Sequence, residues 1–360
     1  MRPQLKPALR RVWRDATTLQ LGLDPDRAVV IGGLDAGAVR LVDSLDGSRD
    51  LPGVLATAAD LGVEAWRAGE LIDLLARAGV LDDAAADRRP LGALDRQERE
   101  RLGPDLAAAS ALRRGSDGGV GVLARRRAGV VEVHGAGRVG ASVVTLLAAA
   151  GVGAVAADDP APTLLTDAAP AGLAPGDVGA RRQDAAAAAA RRAAPAVRSR
   201  LPRSRPPDVA VVAPVGPLDP ALPDRLLRAG VPHLFATVRE GTGVVGPLVL
   251  PGRSSCHRCH DLHRADRDPA WPSIRAQLAG PAPRVATPCD VVLATAVAAH
   301  TALQVLALLD WRAGPDGDGP DTTEAPPTVD GTLEIGQADG RVRRRSWSMH
   351  PLCGCGWERG

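Results

Sequence analysis

Four of the five cysteines form two close pairs that lie far apart in the chain. Cys256 and Cys259 are separated by two residues, and Cys353 and Cys355 by a single glycine. Thiolates are strong zinc ligands, and two close pairs from distant segments are a common way to assemble a tetrahedral site. We therefore predict a structural Zn²⁺ bound by Cys256, Cys259, Cys353 and Cys355.

Two alternatives to this zinc site remain open. The second cysteine pair is spaced more tightly than is usual in zinc sites, so His260 or His350 could supply a ligand instead. The cysteines could also be unrelated reduced thiols, as in many cytosolic proteins. A bound metal would tie a C-terminal hairpin to the loop after the fifth strand, and its binding would contribute to the folding free energy. Its role would then be architectural.

Cys289 and Arg182 are weaker candidates for catalytic residues. Cys289 lies just before a predicted long helix, whose N-terminal dipole can lower the pKa of a thiol. The alternative for Cys289 is a small buried residue at a helix start. Arg182 follows Arg181 at the start of an alanine-rich helix, near where a bound triphosphate would lie. Because Arg191 and Arg192 make the same helix equally basic, we interpret these arginines as a solvated face.

A glycine-rich turn follows an apolar strand at residues 130–133 and precedes an apolar helix. Gly135, Gly137 and Gly140 have the GxGxxG spacing that lets a phosphate approach a helix N-terminus. The next strand ends at Asp159, about twenty residues further on, where a carboxylate can accept a hydrogen bond from a ribose hydroxyl. These four residues predict a nucleotide site. The motif does not separate NAD(P) from ATP, nor either from a turn that binds nothing.

The elements that must position these residues alternate between strand and helix after residue 128. This alternation predicts a Rossmann-like, doubly wound α/β domain over residues 128–360. A Gly/Pro/Asp/Thr stretch from Gly314 to Pro327 predicts a mobile loop before the C-terminal hairpin. The predicted elements are helix 177–193, strand 209–212, helix 223–229, strand 232–238, helix 291–309 and the hairpin of 332–335 with 342–347.

The first 85 residues have a different pattern. Apolar runs around turn residues predict a β-hairpin over residues 17–34, and two helices follow, ended by Gly62 and Gly79. A strand begins at Val80. We interpret residues 1–85 as a winged helix-turn-helix domain and residues 86–127 as a linker with helical pieces. In the second helix, we expect one buried face, formed by Trp66, Leu71, Leu74, Leu75 and Ala78.

Composition limits the class of protein. The chain has 360 residues, is 45% hydrophobic and carries a formal net charge of +2. Residues 1–85 contain 10 basic and 13 acidic residues, so they offer no basic face for nucleic acid. The N-terminus has no signal-peptide pattern, and no uninterrupted run of about 18 apolar residues occurs. We expect a cytoplasmic protein that binds neither nucleic acid nor membrane.

The order of these signals resembles the ThiF/MoeB/HesA (ubiquitin-activating-enzyme-like) superfamily over about residues 128–360. Residues 1–85 resemble, more weakly, the leader-peptide-binding winged element of ThiF-like proteins in azole-peptide (TOMM/bacteriocin cyclodehydratase) pathways of RiPP biosynthesis. The resemblance implies that a peptide is added as a β-strand along the hairpin edge. It also implies a partner modification enzyme and, by analogy, a homodimer. Further matching segments are 177–182, 245–248, 251–252 and 350–355.

The chain departs from the family at its ATP-handling residues. The resemblance implies an Asn, Arg and Lys set after the ribose-binding acid, and an Asp after a later strand, all serving Mg-ATP during adenylation. This chain has no Asn, and its one lysine, Lys6, is remote. Arg182 stands in the lysine position, although arginine is not equivalent to lysine. The later strand ends at Ala213 and Pro214, which removes the expected ligand for Mg²⁺.

Three hypotheses of function follow. The first is a ThiF-like protein that binds a peptide through residues 1–85 and presents it for modification, its ATP chemistry lost. The second is an active adenylyltransferase that acts on a peptide or carrier-protein C-terminus, in which Gly135, Gly137, Gly140 and Asp159 bind Mg-ATP and Cys289 takes a thioester. The third is a regulator that senses NAD(H) through the same turn. The acidic balance of residues 1–85 and the cysteine pairs count against the third hypothesis.

Overall fold

The computed structural model describes residues 1–202, 204–280, 288–311 and 325–356. The chain divides into two compact units, Met1–Ala124 and Arg125–Gly360. Most of the predicted mobile loop from Gly314 to Pro327 lies outside the described residues.

Two small antiparallel sheets and a set of helices form the first unit. β1 pairs with β5, and β3 lies between β2 and β4. The strands are β1 (Pro3–Leu5), β2 (Arg11–Trp13), β3 (Leu19–Leu21), β4 (Val29–Ile31) and β5 (Leu81–Asp83). The helices are α1 (Ala36–Asp43), α2 (Leu51–Asp60), α3 (Ala65–Arg77), α4 (Arg89–Gly92), α5 (Arg96–Arg101) and α6 (Gly103–Leu112), and α7 (Val120–Ala128) spans the boundary between the units.

The predicted hairpin and the two predicted helices of the first unit are confirmed. Gly62 and Gly79 end α2 and α3 with φ of +74° and +70°, a conformation that glycine adopts without strain. The expected burial of Trp66 is wrong, because its side chain is 69% exposed. Leu74 is also exposed. The buried stripe of α3 instead follows Ala68, Ile72 and Leu75.

Residues 86–124 contain α4, α5 and α6 and cluster with the first unit. Lys6 connects this region to β1, since its buried Nζ donates to the carbonyl oxygens of Ser110 and Arg113. Ser110 in turn donates to the carboxylate of Asp82, 2.8 Å away. The predicted boundary at residue 85 and the winged helix-turn-helix topology remain predictions.

One mixed sheet of seven strands organises the second unit, in the order β12-β11-β10-β9-β8-β6-β7. The strands are β6 (Val130–His134), β7 (Ala154–Asp158), β8 (Val209–Val212), β9 (His233–Arg239), β10 (Thr242–Val249), β11 (Gly331–Gly336) and β12 (Val342–Ser346). β7, β6, β8 and β9 are parallel, whereas β10, β11 and β12 extend the sheet with antiparallel pairs. The carboxyl ends of β6, β7 and β8 therefore meet at one edge.

Helices cover both faces of this sheet, as expected for a doubly wound domain. α8, α9 and α13 contribute to the larger core on one face, and α10 and α11 contribute to a second core that includes Phe235 and three of the cysteines. The helix predicted from Asp177 begins instead at Arg182, after Gly179 adopts φ of +88°. The helices are α8 (Arg138–Ala149), α9 (Arg182–Ala193), α10 (Leu222–Arg228), α11 (His257–Arg267), α12 (Trp271–Leu278) and α13 (Val291–Trp311).

α13 is the one helix, among the described residues, that is long and apolar enough to cross a membrane. Its most apolar stretch has a mean hydropathy of 1.9, and half of that stretch is buried inside the protein. Leu293, Val297 and Val305 belong to the larger core of the second unit. The helix therefore has the packing of a core helix.

Candidate functional site

The four paired cysteines meet in the second unit. Cys256 and Cys259 lie at the start of α11, and Cys353 and Cys355 lie in the loop after β12. Their Sγ atoms all lie within 4.8 Å of one another, with closest separations of 3.4 Å for Cys256–Cys353 and for Cys259–Cys355. A tetrahedral zinc with Zn–S bonds of about 2.3 Å places sulfur atoms roughly 3.8 Å apart. The donor set therefore fits Zn²⁺.

The surroundings of the cysteine cluster favour a thiolate at Cys259. The pKa of Cys259 is lowered to about 4, chiefly because the Cys256 thiol donates to its Sγ. The backbone N–H of His350 donates to the same sulfur at 3.3 Å. That hydrogen bond joins Cys259 to the loop after β12, and burial against Phe235 and Val249 packs the cluster on the sheet. Such N–H donors orient and stabilise the ligands of a structural metal.

His260 and His350, the alternative ligands, serve neighbouring contacts instead. The His260 ring stacks on Trp347 at 4.6 Å, and burial lowers the pKa of His260 to about 3. The Nδ1 atom of His350 accepts from the backbone N–H of Leu352, so its Nε2 carries the proton and donates to Asp266 at 2.9 Å. Both rings support the loop that carries the second cysteine pair.

The glycine-rich turn has the predicted strand-to-helix setting between β6 and α8. A Cβ on Gly135 would lie 2.2 Å from the carbonyl oxygen of Ala213, and one on Gly140 would lie 1.9 Å from that of Gly135. Gly135 also has φ of +91°. These two glycines are therefore required by the close packing of the turn itself. A bound phosphate is not needed to explain them.

Asp159 lies directly after β7, beside the glycine-rich turn, but its carboxylate already has partners. Its Oδ2 accepts from the backbone N–H of Ala136 at 2.9 Å and lies 3.6 Å from Nη1 of Arg182. Its Oδ1 accepts from the backbone N–H of Ala161 at 3.2 Å. Asp159 is 8% exposed. A ribose hydroxyl would have to compete with these contacts.

The interpretation of Arg182 as part of a solvated face is wrong. Its side chain is buried, and its Nε donates to Oδ2 of Asp167 at 2.7 Å. Arg182 thus lies between Asp159 and Asp167 in a buried ion-pair network. Arg191 and Arg192, at the other end of α9, are exposed as expected. Asp167 was not predicted, because no motif marks it and its loop brings it to Arg182 only in the folded chain.

Three other groups surround the N-terminus of α8. A Cβ on Gly137 would lie 2.6 Å from Cγ2 of Val215 and 3.6 Å from Oδ1 of Asp167. Arg138 directs its guanidinium to backbone carbonyls, donating to Thr166 and to Cys289 at 2.7 Å each. An apolar side chain, a carboxylate and an engaged arginine thus occupy the place where phosphate-binding groups were expected.

Cys289 does not have the lowered pKa that was expected. Burial raises the pKa of its thiol, an effect that the nearby charge of Arg138 only partly offsets. Asp290 uses the N-terminus of α13 itself, since its Oδ1 accepts from the backbone N–H groups of Val292 and Leu293. The alternative of a partly buried residue at a helix start fits Cys289 better.

In the first unit, β2 and β4 are the end strands of the three-stranded sheet. Val12 on β2 pairs with Gln20 on β3, which pairs with Val30 on β4, so these three residues share one face. Val12 and Val30 are 39% and 45% exposed. All of β2 is exposed. This surface offers strand edges together with apolar side chains.

Comparisons with solved structures show the fold. A crystal structure of E. coli MccB with AMPCPP and MccA matches over 99% of both chains, with a TM-score of 0.73 and 15% identity. The microcin C7 biosynthetic enzyme MccB with N-formylated MccA matches over 99% of this chain and 100% of that chain, at 0.71 and 14%. PaaA matches over 96% of this chain and 100% of that chain, at 0.68 and 15%.

No protein-family model matches the chain, and no curated protein matches its sequence. The chain nevertheless has the fold of MccB, a ThiF/MoeB-like protein, along nearly its whole length. The resemblance inferred from the sequence is confirmed at the level of the fold.

Proposed function

We propose that this protein binds a peptide through its N-terminal unit and presents it to a partner enzyme for modification, and that its own ATP chemistry has been lost. The observation that carries this proposal is the buried network of Asp159, Arg182 and Asp167. In this network the carboxylate of Asp159, which a ribose hydroxyl would need as its acceptor, is already paired with Arg182. The chain would act in the cytoplasm, as a homodimer by analogy, in RiPP biosynthesis.

The electrostatics of the turn support the loss of ATP chemistry. Phosphates bind where N–H groups and cations converge, and Mg²⁺ requires an oxygen ligand held close to them. Here the carboxylate of Asp167 lies near Gly137, and Ala213 and Pro214 follow β8 where a carboxylate ligand was expected. The arginine that remains, Arg182, pairs with two carboxylates of the protein itself.

The end strands of the first unit support peptide binding. An extended peptide can pair with an exposed strand edge through backbone hydrogen bonds and place alternate side chains against apolar residues. β2 and β4 provide such edges, with Val12 and Val30 exposed beside them. MccB, which shares the fold, has been solved in complex with the MccA peptide. The winged helix-turn-helix element of residues 1–85 is part of this proposal.

Zinc has an architectural role in the proposed function. When bound, it would cross-link Cys256 and Cys259 to Cys353 and Cys355 and supply folding free energy. The four cysteines, the His350 N–H and the surrounding core position the loop after β12 against α11.

The decisive experiment is isothermal titration of the zinc-loaded protein with Mg-ATP, and with NADH as the comparison, up to millimolar concentrations. We expect no heat of binding that depends on Asp159 from either ligand. A saturable ATP signal that disappears in the Asp159→Asn variant would overturn the loss of ATP chemistry. NADH binding would instead support the regulator.

A second function is favoured by one observation, since MccB has been solved with ATP and with AMPCPP. In this alternative the chain is an adenylyltransferase, with Gly135, Gly137, Gly140 and Asp159 around Mg-ATP and Cys289 available for a thioester. ATP–pyrophosphate exchange in the presence of a peptide acceptor measures this activity directly. ATP–pyrophosphate exchange above background would establish the adenylyltransferase activity. Absence of exchange, together with no Asp159-dependent heat of Mg-ATP binding, would exclude it.

A further inference from the structure

Trp347 packs along one face of α11 in the second unit. It is 4% exposed, and its Nε1 donates to Oγ1 of Thr332 at 3.1 Å. The guanidinium of Arg264 lies 5.4 Å from the Trp347 ring and 4.9 Å from the Trp271 ring, and that of Arg267 lies 5.2 Å from Trp347. Residues of α11 at helical spacing meet Trp347, namely His260, His263, Arg264 and Arg267.

Arg239 belongs to the same cationic group. It lies at the end of β9, on the face of the strand that carries His233 and Phe235, and Phe235 contacts His257 of α11 at 4.9 Å. Burial, and after it the charge of Arg239, lowers the pKa of Arg264 to about 10. The two guanidinium groups are therefore close enough to repel each other.

Three carboxylates in this region already have partners, and one of them, Asp266, pairs with His350. Asp261 accepts from Nε1 of Trp271 at 3.1 Å and pairs with Arg275 at 3.0 Å. Glu334 receives two hydrogen bonds from Arg345, at 2.9 and 3.1 Å. The five arginines of this region, Arg239, Arg264, Arg267, Arg275 and Arg345, outnumber its three carboxylates, so positive charge is in excess.

Among the described residues, the guanidinium groups of Arg239, Arg264 and Arg267 make no hydrogen bond and no close ion pair, although the carboxylates of Asp261 and Glu334 lie near enough to attract Arg239 and Arg264. A guanidinium stacked on an aromatic ring keeps the N–H groups at its edge free, and these groups match the oxygens of a phosphate. Like charges gathered in a partly buried place are unfavourable, and a bound anion would relieve that cost.

We propose that Arg239, Arg264 and Arg267, with Trp271 and Trp347 as their packing surface, form a binding site for a phosphate group. The phosphate is either a free ion, including pyrophosphate, or part of a nucleotide. An excess of positive charge favours a multiply charged oxyanion over a single carboxylate. The site stands apart from the glycine-rich turn and does not depend on the proposed function.

Titration of the zinc-loaded protein with inorganic phosphate, pyrophosphate and ATP, at constant ionic strength, tests this site. We expect pyrophosphate to bind and to do so at least tenfold more weakly in Arg239→Gln and in Arg264→Gln. Arg192→Gln, at the exposed C-terminal end of α9, is the matched control and should bind like the parent. Because Arg264 packs between two indoles, the exposed Arg239 and Arg267 provide variants that leave this packing intact.

The ligands distinguish the source of the phosphate. Binding of pyrophosphate or phosphate that depends on Arg239 supports a free ion, and binding of ATP alone that depends on Arg239 supports a nucleotide. Equal binding by the parent, Arg239→Gln and Arg267→Gln would overturn the site, and so would a signal from a glutamate-rich peptide with none from any phosphate.

Discussion

The cysteine cluster and the glycine-rich turn both carry ligand-binding motifs, but only at the cysteine cluster do the polar groups converge on a place for a ligand. At the turn they pair with other groups of the protein. At the cluster, four sulfur donors converge within 4.8 Å and match one metal ion. At the turn, Asp159 and Asp167 both pair with Arg182 from the same domain. A motif thus identifies a ligand only where the protein supplies no partner of its own. The predictions below test this contrast.

The largest effect should come from the cysteine cluster. Cys259→Ser, or removal of zinc with a chelator, should unfold the second unit, because a structural zinc site contributes on the order of 10 kcal/mol, comparable to the whole stability of a domain. Zinc content and circular dichroism report this loss. Cys289→Ser is the control and should keep its zinc and its melting temperature. If the Cys259→Ser protein is as stable as the parent, the cysteine cluster, like the glycine-rich turn, does not depend on a bound ligand.

The next effect should come from the turn. Arg182→Met leaves two buried carboxylates without their cation, which should cost about 3–5 kcal/mol. Denaturant unfolding measures the cost, and Arg192→Met on the exposed end of α9 should change stability little. If Arg182 instead serves a nucleotide, the variant would retain its stability and lose ATP binding, and the contrast between the two regions would disappear.

Acid should weaken the face of the sheet that carries the cysteine cluster. Burial lowers the pKa of His233 to about 4, below its ordinary value of 6.5. Between pH 6.5 and pH 4, His233 is protonated in the unfolded chain but stays neutral in the folded chain. The free energy of unfolding is therefore highest above pH 6.5 and decreases as the pH falls towards 4. The loss should reach about 3 kcal/mol. Denaturant unfolding of the parent and His233→Gln at several pH values isolates it, and parallel pH profiles would refute it.

The smallest effect concerns Gly137. Its substitution by alanine should cost about 1–3 kcal/mol, because the new Cβ meets Val215, and Val215→Ala in the same chain should recover most of that loss. Gly92→Ala, whose Cβ meets open space, provides the control. Equal stability of Gly137→Ala and the parent would mean that protein packing does not explain this glycine.

Local signals predicted most of the second unit. The hairpin of β11 and β12, the strand β8 and the helix α13 were expected within a few residues. Apolar runs mark β8 and α13, and turn residues bound them. In contrast, α4 to α7 were expected only as pieces of a linker. Their periodicity is weak, and Ser110 on α6 is fixed by Lys6, which lies 104 residues earlier in the chain.

The candidate sites differ in the same way. The four cysteines were predictable, because few other arrangements explain two thiol pairs in a chain with five cysteines. The burial of Arg182 was not, since it depends on Asp167, which no motif marks. The cationic group around Trp347 was also missed, because Arg239 and Arg264 come together only when β9 packs against α11.

The antiparallel extension of the sheet has a consequence for biosynthesis. Cys256 and Cys259 leave the ribosome almost one hundred residues before Cys353 and Cys355, and translation at roughly 5–20 residues per second makes that interval several seconds long. During it, the first pair can hold a metal only incompletely. A nascent chain that stops before residue 353 lacks two of the four sulfur donors, so it cannot complete the metal site.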